Sequence, residues 1–79
     1  MRKIVLPELG QGIDKASVSF WFLKEGDTVK QNDDLVELTT DKAAFNLPSP
    51  CSGKLVQILF HEGDQVNVGE AICVIEENS

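Results

Sequence analysis

The feature of the sequence that most limits its possible folds is an internal repeat. Residues 24–29 (KEGDTV) return 37 positions later as residues 61–66 (HEGDQV). The same offset places residues 35–38 over residues 72–75. Two copies are too few for a solenoid, in which several stacked repeats bury a continuous core. The repeat therefore predicts a single core built from two related halves.

The pattern of apolar residues indicates an all-β fold. Short runs rich in β-branched and aromatic residues are bounded by Gly, Pro, Asn, Asp or Ser, and no window shows a sustained helical period. These runs are residues 18–23, 35–40, 43–47, 55–60 and 72–76. A weaker match, at an offset of 41, places the pair Leu6 and Pro7 over Leu47 and Pro48. We predict a flattened β-barrel or sandwich of two four-stranded antiparallel sheets related by an internal pseudo-twofold axis.

The predicted core draws on one apolar set from both halves, although nearly continuous apolar runs blur the two-residue period. The set comprises Val5, Val18, Phe22, Val36, Leu38, Leu55, Leu59, Cys73 and Ile75. Phe20 aligns with Gln57 in the repeat, so we expect the Phe20 side chain to lie at least partly on the surface. His61, before a Glu-Gly-Asp turn, is expected to be a solvated loop residue.

Backbone geometry is also predicted by the repeat. Both Glu-Gly-Asp turns place a glycine where a positive φ is needed and an aspartate where its side chain caps the turn. Gly69 precedes the last strand-like run, and Asn32 holds the same place in the first copy. Asparagine best replaces glycine in a left-handed conformation. We therefore expect positive φ at both positions.

Composition excludes several classes of function. A chain of 79 residues forms one small domain with little spare core for a deep cleft. Its formal net charge is −6 and its seven basic residues are scattered, which argues against nucleic acid and anionic membranes as partners. One histidine and two cysteines without metal-ligand spacing make a zinc site improbable. Cys73 is expected to be a small buried hydrophobe, and Cys51 a partly exposed free thiol.

A lysine at a predicted hairpin tip is the candidate functional residue. Thr40, Asp41, Lys42 and Ala43 lie between two strand-like runs, so Asp41 and Lys42 are expected to form the tip of a tight turn. A solvated lysine is a poor nucleophile or Schiff-base former, because those roles need burial or a nearby cation. It is well placed for an enzyme that grips a hairpin and acylates its end. The repeat also predicts that the two chain termini emerge together, at the end opposite Lys42.

Several motifs together resemble the lipoyl domain of dihydrolipoyl acyltransferases, the core subunits of 2-oxo acid dehydrogenase complexes. They are residues 6–10 (LPELG), 24–27 (KEGD), 40–43 (TDKA), 48–50 (PSP) and 62–64 (EGD). The resemblance covers nearly the whole chain. The Asp-Lys-Ala triplet is common by chance, and its place midway between two Glu-Gly-Asp repeats makes it specific.

The resemblance implies a carrier function without catalytic residues of its own. Lipoate would be bound covalently to Lys42, and Asp41 and Ala43 would guide recognition by the lipoylating enzyme. The lipoyl-lysine would shuttle acyl groups and electrons between a thiamine-dependent 2-oxo acid decarboxylase, the acyltransferase core and dihydrolipoyl dehydrogenase. The 2-oxo acid stays open among pyruvate, 2-oxoglutarate and branched-chain acids. Asn32, where glycine is usual, and Phe20, where a polar residue is more common, depart from the family pattern.

Three alternatives stay open at this point. A biotinyl carrier has a similar fold, but it has methionine on both sides of the lysine, where this chain has Asp41 and Ala43. An unmodified interaction module would leave Lys42 as a solvated turn residue. The glycine-cleavage carrier is longer and has extra helix.

The resemblance sets an expectation about organisation, and the lack of a transit sequence before Arg2 sets one about location. Residues 1–79 are expected to be one domain, monomeric when isolated, and the N-terminal part of a longer acyltransferase subunit. The expected location is a bacterial cytoplasm, or the mitochondrial matrix if a presequence was trimmed.

Overall fold

A computed structural model describes residues 1–10 and 12–77, and strands account for all the regular secondary structure among them. The eight strands are β1 (Arg2–Val5), β2 (Lys15–Trp21), β3 (Thr28–Val29), β4 (Asp34–Thr39), β5 (Ala44–Pro48), β6 (Gly53–Ile58), β7 (Gln65–Asn67) and β8 (Ala71–Glu77). In the described ranges, no helix has the length and apolar character needed to cross a membrane.

Two four-stranded antiparallel sheets pack as a flattened sandwich. One sheet has the order β1-β8-β6-β3 and the other β5-β4-β2-β7. The repeat offset carries β2 onto β6, β3 onto β7 and β4 onto β8, and the edge strands β5 and β1 complete the two sets. When each strand is replaced by its equivalent, the strand order of one sheet becomes the strand order of the other. The predicted fold and its pseudo-twofold symmetry are confirmed.

The edge strands correct the weaker repeat match. Ile4 in β1 pairs with Cys73, and Leu47 in β5 pairs with Val36. Because Cys73 and Val36 are repeat partners, Ile4 corresponds to Leu47, which is an offset of 43. The match of the two Leu-Pro pairs at an offset of 41 is therefore wrong, since strand pairing and not letter similarity defines the equivalence.

Residues with positive φ and capping carboxylates lie where the repeat predicted them. Gly26 has φ of 98° and Gly63 has φ of 90°. Asp27 Oδ2 accepts a hydrogen bond of 2.9 Å from the Lys24 backbone N–H, and Asp64 makes the equivalent 2.9 Å bond in the second copy. Each carboxylate closes its turn by satisfying a backbone donor.

The unusual backbone at Asn32 is also confirmed. Asn32 has φ of 76° and Gly69 has φ of 92°. The Asn32 N–H donates to the Ser49 carbonyl at 2.8 Å, and the Gly69 N–H donates to the Leu6 carbonyl at 2.9 Å. The two hydrogen bonds are related by the pseudo-twofold axis. They independently support the offset of 43 between the edge segments.

The core lies between the sheets, and six members of the predicted set are buried in it. These are Val18, Val36, Leu38, Leu55, Cys73 and Ile75. The prediction was wrong for Val5, Phe22 and Leu59, which are 48%, 43% and 38% exposed. In β1 the inward residue is Ile4, not its neighbour Val5.

A β-bulge explains the exposure of the other two residues. The pairing register shifts between Val18 and Phe20 in β2, and between Leu55 and Gln57 in β6. An extra residue reverses the alternation of side chains along a strand. Positions beyond the shift, Phe22 among them, therefore have the opposite orientation from the one that strict alternation predicts.

The two cysteines are both free and buried. Burial, with a smaller contribution from nearby Cys51, raises the pKa of the Cys73 thiol to about 12. The expectation for Cys73 is confirmed. The expectation that Cys51 is partly exposed was wrong, because the turn folds inward and the Ser49 hydroxyl donates a 2.6 Å hydrogen bond to the Cys51 carbonyl. His61 is exposed, as expected.

Candidate functional site

The candidate lysine lies at the tip of the β4–β5 hairpin. Thr39 and Ala44 form the last pair of the ladder, and the Thr40 N–H donates to the Ala43 carbonyl at 2.8 Å. Asp41 and Lys42 thus form the exposed tip between these residues. The predicted placement of both residues on a tight turn is confirmed.

Thr40 organises the tip, and the sequence-based reasoning did not single it out. Its Oγ1 accepts hydrogen bonds from the backbone N–H groups of Lys42, at 3.2 Å, and Ala43, at 3.1 Å. The same hydroxyl donates to the Ala43 carbonyl at 3.1 Å. Threonine directly before a tight turn commonly bonds to the backbone two or three residues ahead. That local rule was the available signal.

Replacing Thr40 by valine is expected to loosen the tip without unfolding the domain. Valine keeps the shape of threonine but leaves the N–H groups of Lys42 and Ala43 without their side-chain acceptor. A net hydrogen bond contributes about 1 kcal/mol, so exchange of these two amide protons should accelerate about fivefold. Hydrogen exchange followed by nuclear magnetic resonance (NMR) measures this effect.

Thr39→Val is the matched control, because the Thr39 hydroxyl bonds to the Ser19 hydroxyl and not to the tip. Equal exchange rates in the Thr40 variant and the unmodified chain would contradict the role assigned to the Thr40 hydroxyl.

The tip and the two ends of the described chain lie at opposite ends of the molecule. Ser17 pairs with Thr39 beside the tip, and further along the same segment Val29 pairs with Gly53. Gly53 in turn pairs with Glu77, and β8, which contains Glu77, pairs with the first strand. Residues 17–29 therefore run from the tip toward the chain ends, in a molecule 37 Å long. The predicted layout is confirmed.

An open groove lies beside the tip. Its volume is about 500 Å³, and it is lined by residues 12–17 together with Thr39, Thr40, Asp41 and Gln65. Neither histidine nor cysteine lines the groove, so its lining holds no Ser/His or Cys/His pair. In the described ranges no group of three or more His, Cys, Asp or Glu is placed to hold a metal ion. The Lys42 side chain is exposed at this end of the molecule, on a turn closed by hydrogen bonds.

Comparison with known proteins identifies the family of this fold and hairpin. The family model described as biotin-requiring enzyme (Biotin_lipoyl) matches residues 2–75. The chain belongs to this family. The Biotin_lipoyl match covers both halves of the repeat and the hairpin between them.

Curated relatives of this Biotin_lipoyl chain are acyltransferase components. The dihydrolipoyllysine-residue succinyltransferase component of the 2-oxoglutarate dehydrogenase complex of Rickettsia bellii is 40% identical over 75 residues, which are 95% of this chain and 19% of that protein. The dihydrolipoyllysine-residue acetyltransferase component of the pyruvate dehydrogenase complex of Staphylococcus epidermidis is 39% identical over 71 residues, 90% of this chain and 16% of that protein. The chain spans less than a fifth of the length of these relatives.

Solved structures agree with the family. The lipoyl domain of the 2-oxoglutarate dehydrogenase complex from Azotobacter vinelandii matches with a TM-score of 0.78 and 28% identity, and the match covers 98% of both chains. The urea carboxylase of Kluyveromyces lactis matches with a TM-score of 0.80 over 95% of this chain and 6% of that protein, at 21% identity, which shows a shared fold alone. The resemblance to a lipoyl domain is confirmed, and such a domain carries its group without catalysing a reaction itself.

Proposed function

We propose that Lys42 bears a lipoyl group in amide linkage, and that the domain carries this group between the active sites of a 2-oxo acid dehydrogenase complex. The observation that supports the proposal is the placement of Lys42, exposed on a hairpin tip at the far end from both ends of the described chain. A tether at one end and an arm at the other leave the arm free to reach several partners.

The backbone of Lys42 is positioned by hydrogen bonds within the turn. The tip is closed by the Thr40–Ala43 backbone bond and by the Thr40 hydroxyl. A modifying enzyme would therefore meet the backbone of the turn in one conformation, with the exposed Asp41 on one side of Lys42 and the small Ala43 on the other. We assign Asp41 and Ala43 to recognition by the lipoylating enzyme.

When bound, lipoate supplies a dithiolane that accepts an acyl group together with two electrons. The contribution of this chain is to present the arm and to stay attached to the complex. Attachment turns each encounter with an active site into an intramolecular event, with effective concentrations in the millimolar range for a short flexible link.

The partners in this proposal are a thiamine-dependent decarboxylase, an acyltransferase core and dihydrolipoyl dehydrogenase. The names of the relatives, which belong to 2-oxo acid dehydrogenase complexes, support this set in general terms. Those names include both a 2-oxoglutarate and a pyruvate complex, so the 2-oxo acid stays open. The place of the domain in a longer subunit and its location in a bacterial cytoplasm stay predictions.

Biotin is the second candidate group, because the family description refers to biotin-requiring enzymes. The residues beside Lys42 favour lipoate over biotin. Asp41 and Ala43 stand where biotinyl carriers have methionine, and an acidic residue presents a different surface to a modifying enzyme than an apolar thioether does.

Mass spectrometry tests the proposal directly. The chain is expressed with a lipoylating enzyme in one culture and with a biotinylating enzyme in another, and the modified peptide is sequenced. We expect the mass of one lipoyl group on Lys42 in the first culture and an unmodified chain in the second. Biotin on Lys42, or a lipoyl group on another lysine, would refute the assignment.

A further inference from the structure

Two phenylalanines lie side by side on the outer face of the sheet that carries Lys42. Phe20 and Phe22 are 38% and 43% exposed, and their ring centroids are 4.8 Å apart with an interplanar angle of 71°. Edge-to-face rings at this distance attract each other. The pair, here named the Phe patch, is therefore one continuous apolar surface and not two isolated side chains.

The fold does not require the Phe patch. Gln57 and Leu59 hold the equivalent positions in the other half, where the strand order and the register shift are the same. Gln57 is exposed there, and the core beneath it is closed in the same way. In the other half of the repeat a polar residue occupies the position of Phe20, so the fold does not need an aromatic side chain there.

Acidic residues lie beside the Phe patch. Phe20 pairs with Glu37, whose two neighbours in β4 are buried, so the Glu37 side chain points outward on the same face as the ring. Asp34, at the start of β4, is also exposed. Within β2, β4 and β5 the one basic residue is Lys15, at the hairpin end of β2.

We infer that the Phe patch, with Glu37 and Asp34, is a docking surface for the thiamine-dependent decarboxylase that loads the arm. The matching surface of that enzyme would present an apolar side chain flanked by lysine or arginine, as charge complementarity to two carboxylates and to a chain of net charge −6 requires. This inference rests on the proposed function of Lys42.

The position of the Phe patch suits an enzyme that works on the arm. Glu37 precedes Lys42 by five residues in the same hairpin, which is about 17 Å along an extended chain. An enzyme bound at the patch would hold its active site over the tip. In the proposed subunit the acyltransferase core would meet the arm through the tether, whereas the decarboxylase and the dehydrogenase would be separate polypeptides that have to recognise a surface. Measuring acylation and reoxidation separately distinguishes these two enzymes.

The test measures acyl transfer to the lipoylated domain by the pyruvate, 2-oxoglutarate and branched-chain 2-oxo acid decarboxylases of the organism that makes this chain. In this step the 2-oxo acid loses carbon dioxide and its acyl carbon forms a thioester with one dithiolane sulfur. The other sulfur takes the electron pair of the S–S bond and a proton. The double variant Phe20→Gln and Phe22→Leu copies the residues of the other half, so it should fold.

We expect the double variant to raise KM for the domain about tenfold with little change in kcat, because exposed aromatic anchors dominate binding energy. Glu37→Lys should lower kcat/KM as well. Leu59→Ala, which removes an exposed apolar side chain from the other sheet, should change neither constant. Lipoylation of Lys42 and oxidation by dihydrolipoyl dehydrogenase should be unaffected in all variants.

The outcomes separate this inference from the proposed function. Absence of the lipoyl group from Lys42 would refute the function and the inference with it. A double variant that is lipoylated normally, and acylated as fast as the lipoylated domain of the original sequence, would overturn the docking surface alone. A defect confined to the dehydrogenase step would overturn the assignment of the partner, and so would a lipoylated domain of the original sequence that none of the three decarboxylases acylates.

Discussion

Arginine in place of Lys42 is expected to abolish lipoylation completely while the stability of the fold stays nearly constant. The guanidinium of arginine stays protonated and does not form the amide that the lysine amine forms with a lipoyl carboxyl group. Because the side chain is exposed at the tip, the free energy of unfolding should change by no more than about 0.5 kcal/mol. Intact mass spectrometry and thermal unfolding by circular dichroism measure the two effects.

Lys54→Arg is the matched control for this substitution. Lys54 is also exposed, but it lies in β6, at the end of the molecule away from the tip. The control should be lipoylated as fully as the unmodified chain. A lipoyl group found on the Lys42→Arg protein would place the attachment site on a different lysine and remove the basis of the proposed function.

The hairpin and the two-sheet architecture could be predicted because their signals are local or repeated. The residues around Lys42 form a tight turn by rules that act over four positions. The Glu-Gly-Asp turns, with positive φ at Gly26 and Gly63, carry the same local information twice. Each half of the repeat therefore supports the interpretation of the other, which is why the symmetry of the sheets followed from the sequence.

The orientation of side chains near the bulges could not be predicted, because it depends on pairing between distant strands. Phe22 and Leu59 were predicted to lie in the core, and both are exposed. The register shifts are properties of β2 against β4 and of β6 against β8. In runs that are apolar on both faces, the composition of a strand does not indicate where its alternation reverses.

Close contact between strands was also invisible in the sequence, and it leads to the second large effect. Gly53→Ala is expected to destabilise the domain severely. A Cβ atom on Gly53 would overlap the carbonyl oxygen of Glu76 and would lie 2.9 Å from its carbon and 3.0 Å from the Cα of Glu77. These are backbone atoms of β8, the strand that pairs with β6 at this point, so no side chain can rotate away.

Relief of the overlap would require β6 and β8 to separate, which breaks ladder hydrogen bonds beside Leu55 and Ile75 in the core. Overpacking of this kind costs about 3 kcal/mol, and a domain of this size loses about 4–8 °C in Tm for each kcal/mol. We therefore expect Tm to fall by about 12–24 °C, measured by circular dichroism.

The repeat supplies the control for this prediction. Ala16 holds the position equivalent to Gly53, and its side chain is buried. The first half therefore has room for a Cβ atom at this position, whereas the second half does not. Ala16→Gly should cost only about 1 kcal/mol, through backbone entropy and one lost methyl group. If Gly53→Ala melted as Ala16→Gly does, β6 and β8 would have to be farther apart at Gly53 than the geometry shows. The two halves would then be equal in this contact, and glycine would not be required at position 53.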